Sequence, residues 1–175
     1  MKDTEKHLVS ALLECMCQYQ KGNNVERQCM ANTQLLLDIL RDSKITGAKA
    51  KACMCTGYNE NLETVIVDKH FVLEIDGEVF DPSYCINKLK DKYYYYNENE
   101  CIGFINYLNE IIKKEFPNNG HGNLVSIKGY ERFKQIEEKM NTGEDVACGL
   151  PHYKNQKNYI MSQPQFKVVQ HYIHQ

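Results

Sequence analysis

The chain has no excess of charge of either sign. It holds 21 Lys and Arg against 23 Asp and Glu, for a formal net charge of -2 over 175 residues. That balance removes the electrostatic case for nucleic acid or an anionic membrane as the main partner. No apolar run approaches the length that a bilayer-spanning helix needs. The opening stretch, MKDTEKHLVSALLECMCQ, mixes acids with bases and has no continuous apolar segment. It does not read as a signal peptide, and a cytoplasmic location is the expectation. No internal repeat is visible. What remains is ordinary for a globular chain, with 25% charged and 42% hydrophobic residues. The length suits one domain, residues 1–175, around a single core.

Cysteine, by contrast, is plentiful. Cys15, Cys17, Cys29, Cys53, Cys55, Cys85, Cys101 and Cys148 make eight. Without an export signal they read as reduced thiols, most of them small buried hydrophobes. Cys53 and Cys55 lie two apart on a predicted strand and share a face. Cys15 and Cys17 lie on a predicted helix and do not. CxC pairs of this kind lack the knuckle spacing of a zinc site, so no metal is expected.

Apolar periodicity predicts a helix over residues 4–20, through Leu8, Ala11, Leu12, Cys15 and Tyr19. KGNN, Lys21 to Asn24, breaks it. A second helix is predicted from about Val25 to Asp42, with Cys29 near its start. AKAKACMCTGY, Ala48 to Tyr58, reads as a strand. LETVIVDKHFVLEIDG, Leu62 to Gly77, reads as a long strand ending in an Asp76-Gly77 hairpin turn, with Glu78 to Tyr84 returning. A helix is predicted over Glu98 to Phe116, then a loop over Pro117 to Asn123 that contains His121. A short strand over Leu124 to Ile127, a short polar helix over Tyr130 to Met140 and a strand over Phe166 to Tyr172 complete the reading. The run Tyr93 to Tyr96 reads as surface packing rather than a base-stacking platform, because basic residues do not interleave with it. His152, His171 and His174 read as surface residues.

Three residues carry a chemical pattern. A thiol attacks an acyl carbon as its thiolate, and the free amides and dipole of a helix N-terminus favour that anion. Cys29 is placed for this. A histidine in reach completes the activation, and a carboxylate behind it fixes the imidazole tautomer. His70 lies on the predicted long strand, and Asp81 follows the hairpin. A tight two-residue turn sets Ile75 opposite Glu78. The same register sets His70 opposite Ser83, with Asp81 diagonal to it on the same sheet face. The oxyanion of an acyl intermediate also needs donors. The Cys29 backbone amide is the first candidate. Gln18, Gln20, Asn23, Asn24 and Gln28 supply side-chain amides, and Asn23, Asn24 and Gln28 stand nearest in sequence.

The stretch from Arg27 to Tyr58, RQCMANTQLLLDILRDSKITGAKAKACMCTGY, resembles the core of the transglutaminase-like superfamily. In that pattern a cysteine opens a helix, a leucine-rich stretch and a basic residue follow, and a strand ends in Gly-Tyr. HFVLEIDGEVFDPSY, His70 to Tyr84, is similar to the family's histidine strand, hairpin and Asp-Pro-Ser/Thr ending. The resemblance covers residues 25–84; residues 85–175 match no pattern. Val72 stands where the family often has an aromatic, and Arg27 and Gln28 stand where a glycine usually precedes the nucleophile.

The resemblance implies an α+β fold of papain-like, transglutaminase-like type, with N-terminal helices packed on an antiparallel sheet. It implies a Cys29–His70–Asp81 triad acting on a protein, peptide or small amide, as a protease or amidase or as a transglutaminase. That chemistry requires no cofactor. An arylamine N-acetyltransferase-like enzyme and a catalytically inactive binding domain are the alternatives.

Overall fold

The computed structural model describes residues 1–117 and 127–174, without the side chains of 169, 170 and 172–174. The loop predicted over 117–123, with His121, and the strand predicted over 124–127 fall mostly outside the described residues. The elements run α1 (Asp3–Gly22), α2 (Cys29–Asp42), β1 (Ala48–Tyr58), β2 (Thr64–Ile75), β3 (Glu78–Phe80), α3 (Tyr84–Asn87), β4 (Lys90–Tyr95), α4 (Glu98–Glu115), α5 (Ile127–Asn141), α6 (Pro151–Ser162) and α7 (Pro164–His174). The class is α+β, and the four strands form one sheet in the order β3-β2-β1-β4. Among the described residues no helix is long and apolar enough to cross a membrane.

The chain sorts into two compact units. The first comprises Met1–Lys51, Phe71–Lys88 and Lys139–Gln175. Here α1 buries Leu8, Leu12, Cys15 and Met16, a stripe at three-to-four spacing that faces the core. It packs against α7, α6, α3 and α2. Helix α2 buries Ala31, Leu35, Leu36, Leu37, Ile39 and Leu40, and β2 adds Phe71, Val72, Leu73 and Ile75. Each fully buried large aliphatic side chain contributes roughly 1.5–3 kcal/mol relative to exposure.

The hairpin follows the expected register, with Leu73↔Phe80, Glu74↔Val79 and Ile75↔Glu78 paired antiparallel. Asp76 and Gly77 have φ of 51° and 83°, the left-handed pair that a two-residue turn of type I′ requires. The return strand is shorter than predicted and stops at Phe80. Pro82 has no N–H to give a ladder. The Asp81 carboxylate instead accepts the Ser83 N–H at 2.9 Å, which turns the chain into α3.

The second unit comprises Ala52–His70 and Leu89–Glu138. Its core is Met54, Cys101, Ile105, Leu108 and Tyr130, flanked by Tyr95, Phe104 and Ile127. Strand β4 pairs antiparallel with β1 through Met54↔Tyr95, Cys55↔Tyr94 and Thr56↔Tyr93. Asn97 caps α4 by accepting the N–H groups of Asn99 and Glu100 at 2.9 and 3.3 Å.

The C-terminal elements also differ from the sequence reading. Residues 166–172 lie in helix α7, not in a strand, and α6 stands where no helix was predicted. Both helices open on proline, Pro151 and Pro164, a residue suited to the first helical position.

Candidate active site

Helix α2 begins at Cys29, four residues later than the periodicity suggested. The reason lies in how α1 ends. Asn24 sits in the left-handed region, φ 51°, and the Val25 N–H reaches back to the Gln20 carbonyl at 3.0 Å. This is a Schellman-type closure, so Val25 belongs to the end of α1. Arg27, φ 57°, then reverses the chain again. Cys29 is thereby the first residue of a 14-residue helix, half-buried, with no acid in its first turn.

The oxyanion candidates differ in what they already do. The Asn23 amide donates to the Tyr19 carbonyl at 2.8 Å and serves the end of α1. Asn24 is exposed and shapes the same end. Gln28 is the residue before Cys29, and its side chain makes no capping bond.

One turn into α2, two side chains tie the helix to the hairpin. Thr33 Oγ1 donates to the Phe71 carbonyl at 3.3 Å. Asn32 Nδ2 donates to Ser83 Oγ at 3.2 Å. Phe71 follows His70 in the chain, and Ser83 is two residues beyond Asp81. Asp81 is 7% exposed, and its carbonyl takes a short hydrogen bond from Asn87 Nδ2. Cys29 and Asp81 thus lie in the first unit. His70 closes the second unit's stretch of β2, where it is 2% exposed. Its ring lies near-parallel to Tyr94, with centroids 6.5 Å apart and planes at 19°. Tyr94 stacks in turn on Tyr96 at 6.0 Å and 14°.

Beside α2 lies a buried amide network that the sequence did not signal. Gln20, 1% exposed, donates to the Pro82 carbonyl at 2.7 Å and to Gln156 Oε1 at 2.8 Å, and accepts the Tyr84 N–H at 2.8 Å. Gln156 Nε2 donates to Asn32 Oδ1 at 2.9 Å. His152 Nε2 stands 2.7 Å from that same oxygen. The Gln156 amide nitrogen stands 3.2 Å from the same ring nitrogen. His152 is half-buried, not a free surface residue, and burial holds its imidazole below the usual histidine range.

Another thiol is built into polar contacts and is disabled by them. Gln34 Nε2 donates to Cys148 Sγ at 3.3 Å, and Cys148 Sγ donates to Asp38 Oδ2 at 3.6 Å. Tyr153 donates to the same carboxylate oxygen at 2.6 Å. Burial, then the Asp145 carboxylate, pushes the Cys148 thiol up to about 11, so it stays protonated at neutral pH. Burial also raises Cys15, Cys85 and Cys101. Among the described residues no group of His, Cys, Asp or Glu is arranged to hold a metal ion. No family model matches the chain, and no curated protein or solved structure matches it.

Proposed function

We propose that this chain is a cysteine-dependent acyl-transfer enzyme of the transglutaminase-like, papain-like kind, acting on an amide or peptide-type substrate. Cys29 is the nucleophile, His70 the proton carrier and Asp81 the group that orients the imidazole. One observation carries the reading. The helix that opens on Cys29 is fastened, one turn in, to the residue after His70 and to the residue two beyond Asp81, through Thr33 and Asn32. These two bonds support the reading by holding the chain next to His70 and the chain next to Asp81 to the helix that Cys29 opens.

The chemistry follows in two balanced steps. His70 takes the thiol proton, and Cys29 Sγ bonds to the carbonyl carbon. The C–N bond breaks as His70 hands that proton to the leaving amine, which leaves an acyl thioester. Water or a second amine then attacks. His70 accepts its proton, the C–S bond breaks and the thiol is restored. Water as acceptor gives a protease or amidase, and an amine gives a transglutaminase. Eight free thiols suit a reducing compartment, so the proposed location is cytoplasmic.

Competitive alkylation tests the assignment. Under limiting iodoacetamide at pH 6, peptide mass spectrometry should find Cys29 modified at least roughly tenfold faster than the other thiols, with Cys148 among the slowest. His70→Ala and Asp81→Asn should each remove that advantage. A Cys29 that reacts like an ordinary exposed thiol, whatever stands at 70 and 81, would favour an inactive binding domain.

A further inference from the structure

Tyr93, Tyr94 and Tyr95 alternate between the two faces of β4, and Tyr96 follows the strand's last residue. Tyr95 stacks on Phe104, with centroids 4.6 Å apart and planes at 8°, and Tyr93 meets Tyr95 edge-on at 4.6 Å. These two belong with the α4 side, where Met54, Cys101 and Ile105 form the core. Tyr94 alternates to the opposite face, and Tyr96 just beyond the strand stacks on it. There the rings of His70, Tyr94 and Tyr96 run near-parallel, at 6.5 and 6.0 Å. Core packing explains Tyr95, and the exposed Tyr93 rests against its ring. That packing does not explain why a second pair continues a ring series that begins on a histidine.

We propose that Tyr94, backed by Tyr96, is a positioning residue for the His70 imidazole in acyl transfer. This rests on the acyl-transfer reading and adds a residue to it. An imidazole that carries a proton between thiol and leaving group must keep its plane while its charge changes. His70 is 2% exposed, so neighbouring side chains set its plane. An offset aromatic face can do this. Ring pairs with centroids between about 4.5 and 7 Å hold their relative orientation. The hydroxyl has no part in that effect, so phenylalanine should replace Tyr94 and an aliphatic residue should not.

The test pairs a spectroscopic readout with a rate. The imidazole proton resonances of His70, assigned by their loss in His70→Gln, should carry a ring-current shift. Tyr94→Leu should abolish the shift and slow iodoacetamide modification of Cys29 by roughly three- to tenfold. Tyr94→Phe should preserve both. If Tyr94→Leu fails to fold, Tyr94→Trp carries the test: the larger ring should enlarge the shift and hold the rate within about twofold. A resonance unmoved in either variant overturns the proposal. So does a resonance that moves in Tyr94→Leu while the Cys29 rate stays the same, since the stack would then be packing alone. If His70→Gln itself leaves the Cys29 rate unchanged, the acyl-transfer reading fails, and Tyr94 loses its role with it.

Discussion

At the scale of single residues, burial sorts the titratable groups. Cys148, with its thiol at about 11, is kept protonated first by burial and then by Asp145. His152 shows the same physics with the opposite sign of charge. Its depressed value means that the unfolded chain binds its proton more readily than the folded one. The stability this group contributes is therefore full above the ordinary histidine value of about 6.5, and is lost as pH falls from there through the depressed value. Urea titrations at stepped pH should show stability declining below about pH 6.5, and His152→Gln should flatten that part of the curve. An unaltered slope in the variant would remove His152 as the cause. Sequence could not supply this: His152 reads as one more polar residue near a proline. Its partner Asn32 lies 120 positions away.

At the scale of elements, most of what periodicity can encode was readable. Helices α1, α2 and α4 lie close to their predicted places because each has one apolar face at helical period, and strands β1 and β2 because each is a run rich in apolar or β-branched residues bounded by turn residues. The Asp76-Gly77 turn was legible because its two residue types tolerate positive φ. Strand β4 escaped because KDKYYY sets three charged or polar positions before three consecutive tyrosines and so shows no apolar alternation. Helix α7 was mistaken for a strand because FKVVQHYI holds adjacent β-branched residues, while Pro164 marked a helix start.

What joins α1, α2, α3 and α6 was not readable at all. It is the buried glutamine pair, Gln20 and Gln156, whose hydrogen bond spans 136 positions. Gln20→Ala strands buried partners on the chain before α3 and on α6. It should cost at least about 1–3 kcal/mol in urea unfolding. Gln156→Ala should behave alike, and the double variant should cost less than the sum, since the two side chains share one bond. Strict additivity would show that the network is not a unit.

At the scale of the whole molecule, β1, β2 and α5 each run through both units, and the passage along β2 falls between His70 and Phe71. The residues of the proposed site were readable only as residue types in order. The tyrosine stack on His70 and the amide network beside α2 were not readable, because both assemble from segments far apart in sequence. The central claim is that Cys29 forms a covalent acyl intermediate with the help of His70. The most direct measurement is intact-protein mass spectrometry after brief mixing with p-nitrophenyl acetate and an acid quench. The account predicts a mass gain of one acetyl group mapping to Cys29, absent in Cys29→Ser and much slower to form in His70→Ala. An acetyl group found on other residues, or one that forms on Cys29 equally fast without His70, would contradict it.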